Sequence, residues 1–151
     1  RMSNEVLRNL SEDIKHVEDF LNSFSGKMNQ RPSDGGWTAS QCMAHISDSE
    51  IALSLRLRMM LTTENYNFAN FDEDDFANLK PDRDPKISYE SFKSLRLGNI
   101  ELASDLTNEQ FSIEGIRPNG ERITVIDYLG RMSSHVGIHL EQAVKAAQAE
   151  K

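Results

Sequence analysis

The sequence predicts an all-α fold, a four-helix bundle with long loops. Two observations carry that expectation. Apolar residues recur at alternating steps of three and four over four long stretches, which places them on one face of a helix. The segments between are rich in Pro, Gly, Asn and Asp, which interrupt helices. A chain of 151 residues is expected to form one domain over 1–151, large enough to bury a core without disulfides. Arg1, which precedes Met2, is read as a remnant of expression and set aside.

The first helix is expected from near Ser3 to just before Gly26, with Leu7, Leu10, Ile14, Val17, Leu21 and Phe24 on one face. His16 falls off that stripe and should face solvent. Pro32 and Gly35-Gly36 mark a loop. Thr38-Ala39-Ser40-Gln41 reads as a capping box, with Trp37 in the apolar position that precedes it. The second helix should then run to about Leu61, with Met43, Ile46, Leu53, Leu57 and Met60 as its stripe and Leu55 and Met59 broadening it. His45 borders this stripe, at the edge of the core.

From Thr62 to Lys86 the chain is acidic and broken. Phe71-Asp72-Glu73-Asp74-Asp75-Phe76 places four carboxylates between two aromatics, yet lacks the glycine and terminal glutamate of a calcium loop. It reads as a solvated face pinned over the bundle by its aromatics. Pro81 and Pro85 end the segment, and Ser88 is expected to cap a third helix with Phe92, Leu95, Leu102 and Leu106 on its stripe. Asn99 falls on that stripe with Arg96 beside it, so Asn99 faces a polar cavity or is satisfied inside the core.

Thr107 to Gln110 reads as a short turn. Pro118-Asn119-Gly120 is a tight-turn signal between two short extended pieces, hence a small hairpin before the last helix. Thr124 and Asp127 start that helix, and Leu129, Met132, Val136, Leu140, Ala143 and Ala147 form its apolar face. Gly137 inside it costs about 1 kcal/mol against alanine, a sign of a closely approaching neighbour.

Composition bounds the partners. The net charge is −7 and the basic residues are scattered, which argues against nucleic acid and against an anionic membrane surface. No apolar run is long enough for a signal peptide or a membrane span. The single cysteine, Cys42, allows no intramolecular disulfide and suits a reducing cytoplasm. A small-molecule substrate is the expected partner.

The chemistry rests on histidines. His135 and His139 are four apart, on one helix face, the spacing that presents two imidazoles to one metal ion. With four histidines in the chain such a pair also arises by chance, so the pair alone is weak. His135 follows Met132, and His139 follows Val136, by three residues, so both lean toward the buried stripe. His45 on the second helix completes a three-histidine set with open positions for water or substrate. Imidazole ligands suit several divalent cations, zinc and nickel among them.

Asp48, one turn beyond His45, is the candidate base, or alternatively accepts the N–H of a ligand histidine. Arg56, about three turns beyond His45 on the same face, is a candidate anchor for an anionic substrate group, or else pairs with a surface acid. Gln142, three after His139, can hold that ring. Cys42 reads as a small buried residue ahead of a nucleophile.

The order and spacing of these pieces resemble the DinB-like superfamily, most closely its YfiT-like branch of metal-dependent hydrolases. The resemblance is carried by Arg31-Pro32 to Gly36-Trp37-Thr38, by His45-Ile46-Ser47-Asp48-Ser49-Glu50, by Arg56, by Phe71-Asp72-Glu73 and by His135-x3-His139-Leu140-x-Gln142, over about residues 5–145. It implies a four-helix bundle in which His45, His135 and His139 bind one divalent metal, zinc or nickel. It also implies hydrolysis or transfer dependent on a low-molecular-weight thiol such as bacillithiol or mycothiol, and a homodimer. The alternative is a non-catalytic metal-binding or stress-related bundle.

Overall fold

The computed structural model describes residues 2–149; Arg1, set aside above, lies outside them. The elements are α1 (Met2–Ser23), α2 (Ala39–Thr62), α3 (Glu73–Asn78), α4 (Pro85–Ser104), α5 (Asn108–Phe111), β1 (Glu114–Ile116), β2 (Arg122–Thr124) and α6 (Val125–Ala147). The four long helices make the bundle. α2 packs on α4 and α6, and α1 packs on the same two, so α1 and α2 sit on opposite corners. Tyr89 bonds Glu18 while Arg96 bonds Leu10, which makes α1 and α4 antiparallel. His45 meets His135 while Arg56 meets Tyr128, so α2 and α6 are antiparallel too.

The expected helix starts are largely present. Thr38 and Gln41 form the reciprocal capping box of α2, and Thr124 accepts from the Asp127 N–H at the start of α6. The Thr107–Gln110 turn is the capping box of the one-turn α5. The hairpin pairs Glu114 with Thr124 and Ile116 with Arg122, and Gly120 takes a positive φ of 86° in its turn.

α4 starts earlier than Ser88. Asp84 accepts from the Lys86 N–H and Pro85 occupies the first turn. Proline lacks only an N–H that is unsatisfied there anyway, so here it begins a helix instead of ending a loop. The buried face of α4 is also rotated from the expected one. It comprises Tyr89, Phe92, Arg96, Asn99 and Ala103, while Leu95, Leu102 and Leu106 are only partly buried.

The reason is a polar centre. Arg96 is wholly buried. Its Nε and Nη2 each donate to Glu50 at 2.9 Å, and Nη1 donates to Asp13 at 2.9 Å and to the Leu10 carbonyl at 3.0 Å. Asn99 donates to Glu50 and Ser54 and accepts from Arg58, so it is a satisfied core amide. Burial raises the Asp13 pKa, opposed by a hydrogen bond from Ser133 of α6 and by the Arg96 charge. This layer separates two apolar clusters. One gathers Val17, Phe20, Met43, Ile46, Phe92 and Val136, and the other Leu10, Leu53, Leu57, Ala103, Leu129 and Met132.

Three local expectations change. Leu55 is 55% exposed and does not broaden the α2 stripe. His45 is 2% exposed, fully inside instead of at the core's edge. Gly137 has open space where a Cβ would sit, so no neighbour requires it. The glycine that a neighbour does require is Gly115, where a Cβ would stand 2.6 Å from the Phe68 ring and 3.1 Å from Met60. His16 is exposed, as its place off the stripe implies.

Replacing Arg96 by alanine strands two buried carboxylates and should lower the unfolding free energy by about 3–5 kcal/mol in urea titrations. In the same assay Gly137→Ala should stabilise by up to about 1 kcal/mol. Gly115→Ala should destabilise by about 1–3 kcal/mol through overpacking.

Candidate metal centre

α2 delivers His45 from its second turn and α6 delivers His135 and His139 from one face. The three rings converge. His45 Nε2 lies 3.1 Å from His135 Nε2 and 3.1 Å from His139 Nε2, with the Ser49 hydroxyl at 3.4 Å. Among the described residues these three histidines form a compact cluster whose ligand-type atoms all lie within 4.8 Å of one another. The Trp37 indole covers the cluster, its centroid 5.0 Å from that of His45 and 6.1 Å from that of His139.

The protonation pattern follows from the partners. Gln142 Oε1 lies 2.9 Å from His139 Nδ1, and an amide oxygen only accepts, so Nδ1 carries a proton and Nε2 is the nitrogen turned toward the cluster. Burial, and then the neighbouring imidazoles His139 and His135, push His45 down to about 3. Burial, then His139 and the Arg96 charge, push His135 down to about 4. Both are therefore neutral near neutral pH. The Nδ1 atoms of His45 and His135 are buried with no hydrogen-bond partner among the described residues.

This arrangement fits a cation. One His45 nitrogen cannot satisfy two facing nitrogens, and lone pairs aimed at a common point repel unless positive charge lies between them. Metal–nitrogen bonds of about 2.0–2.1 Å place neighbouring ligand nitrogens roughly 3 Å apart, close to the observed separation.

The structure also places the other candidates. Asp48 does not meet the rings: both its oxygens accept from Arg83, at 3.0 and 2.7 Å. Arg83 also donates to the Phe76 carbonyl, and Gln41 reaches Asn78, so Asp48 and Gln41 strap α3 onto α2. The carboxylate that does reach the site is Glu73, at the start of α3, with Oε2 3.5 Å from His45 Nε2 and the side chain about half exposed. Arg56 lines the same cavity as His45 and Glu73, and no carboxylate pairs with it among the described residues. Cys42 is fully buried, and burial lifts its thiol to about 12, which leaves it inert.

Sequence reasoning placed Trp37 before the α2 cap and Glu73 in the acidic run, both within the family resemblance, but gave neither a role at the site, and it did not single out Arg83. The signal for Glu73 was its place between Phe71 and Phe76, whose rings stack 4.9 Å apart and fold the acidic run back onto the bundle.

Two cavities meet the centre. One of about 590 Å³ runs from His45, His135 and Glu73 to Arg56 and Tyr128, and one of about 380 Å³ reaches His139 and Glu73 from the side of Arg31 and Trp37.

The match to known proteins bears on this geometry. The DinB superfamily model matches residues 9–143. The chain belongs to the DinB superfamily. A Bacillus licheniformis relative is 29% identical over 136 residues, covering 85% of this chain and 77% of the relative. YfiT of Bacillus subtilis is 31% identical over 139 residues, covering 90% and 77%. Both carry the name "putative metal-dependent hydrolase". The solved structure of YfiT shares the fold with a TM-score of 0.90, at 24% identity over 97% of this chain and 86% of that one. Mycothiol-dependent maleylpyruvate isomerase shares it with a TM-score of 0.72, at 19% identity over 92% of this chain and 59% of the isomerase. The expected fold class and superfamily are thus both present. No helix among the described residues is long and apolar enough to cross a membrane.

Neutral buried histidines make metal-free stability depend on pH. Their folded values lie below the ordinary 6.5, so between about pH 6.5 and about 4 the unfolded chain binds more protons. Stability should fall as pH falls through that window. Thermal melts of chelator-treated protein should show this decline, and His135→Gln should make it shallower.

Proposed function

We propose that this protein is a metal-dependent enzyme that acts on a small molecule, with His45, His135 and His139 holding one divalent cation, zinc or nickel. The observation that carries this reading is the convergence of three Nε2 atoms where two cavities meet, His45 and His135 on the wall of the 590 Å³ cavity and His139 on that of the 380 Å³ one. The names of the relatives support it. A cation held there would supply Lewis acidity, polarising a substrate carbonyl or lowering the pKa of a water or thiol nucleophile.

The protein's own groups have distinct tasks. Gln142 fixes the His139 tautomer. Trp37 shields one side of the rings from water. Glu73 stands 3.5 Å from His45, half exposed and on the wall of both cavities, a position from which its carboxylate can take the nucleophile's proton and pass it to solvent. Asp48 acts at one remove, holding Arg83 and through it α3.

Hydrolysis is the first reading. Transfer with a low-molecular-weight thiol is the second, favoured by the separate 380 Å³ cavity that reaches His139 and Glu73 and leaves room for a second reactant.

The test is tag-free protein loaded with zinc or nickel, assayed with an ester and amide panel and with an electrophile plus several thiols. One cation per chain should bind, and His139→Ala should abolish that stoichiometry. Glu73→Gln should keep the metal and lose about 10²–10⁴-fold in rate. Sub-stoichiometric metal in the parent would overturn the reading. Full metal without turnover on any substrate would leave a non-catalytic metal-binding bundle.

A further inference from the structure

The larger cavity carries charge of a sign the chain as a whole does not. The protein has 24 acidic and 17 basic residues, yet three arginines line this cavity, Arg56, Arg117 and Arg131, against one carboxylate, Glu73. Arg117 is paired with Glu121 at 3.2 Å. Arg56 and Arg131 have no carboxylate partner among the described residues. Unpaired guanidinium groups beside apolar walls attract anions.

Arg56 is the better built of the two. Its Nη1 donates to the Tyr128 hydroxyl at 3.1 Å and its Nη2 to the Ala69 carbonyl at 2.8 Å. Its guanidinium carbon lies 4.8 Å from the Phe68 ring centroid and 5.6 Å from that of Phe71. The plane of the group is thus held before any ligand arrives. Two of its five N–H donors are used, which leaves donors for a bidentate acid. Tyr128 accepts from Arg56, so its own O–H remains available as a further donor.

Position gives the ligand its shape. Arg56 lies eleven residues after His45 on α2, roughly 16 Å along the axis before side-chain reach is subtracted. The walls of this cavity are mostly apolar, with Ala52, Met132, Ile123 and Phe68 outnumbering the small polar side chains of Ser49, Asn70 and Ser134. A cavity of this volume suits a small organic molecule.

We propose that this cavity binds an organic anion on an apolar stem, with its acid group held by Arg56 and Tyr128 and its far end presented to the histidine cluster. The choice of substrate class rests on the metal-enzyme reading, but the anion site stands on its own residues.

Calorimetry with 4-phenylbutyrate and its neutral amide tests the site, on chelator-treated protein and on zinc-loaded protein. The acid should bind the metal-free protein at least 10-fold more tightly than the amide. Arg56→Gln should erase that difference while leaving zinc stoichiometry at one. His139→Ala should lose zinc and keep the preference for the acid. If Arg56→Gln does not fold, Tyr128→Phe and Arg131→Gln should each narrow the difference at least 3-fold. Equal binding of acid and amide to the metal-free protein would overturn the proposal. So would acid binding that requires zinc, because the carboxylate would then be a metal ligand. Failure of zinc binding with the acid preference intact would count against the metal reading alone.

Discussion

The Arg96 guanidinium holds the whole bundle in register. It is a full charge with no access to water, and such a charge is tolerable only while its partners stay within hydrogen-bond reach. Those partners come from every long helix: Leu10 and Asp13 from α1, Glu50 from α2, Asn99 through Glu50 from α4 itself, and Ser133 through Asp13 from α6. An apolar interface tolerates sliding by a fraction of a turn. This layer does not. His45 lies five residues before Glu50, and His135 two after Ser133, so the register that satisfies Arg96 also brings the imidazole nitrogens to 3.1 Å.

The same charge acts on the site from within. Arg96 adds to the burial that keeps His135 neutral, and neutral imidazole is the form that binds a cation. On the outer side stands Glu73, half in solvent. The centre thus lies between a fixed interior cation and a solvent-linked carboxylate, with lone pairs directed inward. Cys42, three residues before His45, stays apart from this centre because burial pushes its thiol up to about 12.

Much of this was legible in the residues. The four long helices followed from apolar spacing, and Thr38 and Thr124 marked two starts because a cap is a local interaction among residues three apart, while the turn read at Thr107–Gln110 is a third such cap and α3 in the acidic run was not foreseen. The histidine cluster was legible because two of its members share a helix and the third borders a stripe. The face of α4 was not. Spacing did place Asn99 on the stripe, but apolar periodicity assumes that what is buried is apolar, and Arg96 is buried because Glu50 and Asp13 lie opposite, which no local spacing reveals. Asp48 illustrates the same limit: one turn from His45, it is claimed by Arg83, thirty-five residues away in the chain.

The acidic run shows how a surface feature becomes part of a site. Asp72 caps α3 by accepting from the Asp75 N–H, and the acids of its first turn lie at the positive end of the helix dipole. Four carboxylates in sequence therefore begin a helix where they would otherwise repel one another. Stacking of Phe71 on Phe76 and the straps from Gln41 and Asp48 then fix that helix over the first half of α2, where residues 39–50 are buried without a break. An unbroken buried stretch has no amphipathic period because it is covered on two sides, by the bundle and by this roof. Glu73 is the residue at which the roof meets the histidines and the two cavities adjoin. Any movement of α3 would therefore shift Glu73 relative to His45 and reshape both cavities together, and the Asp48–Arg83 pair, anchoring α3 from outside the histidine cluster, opposes it.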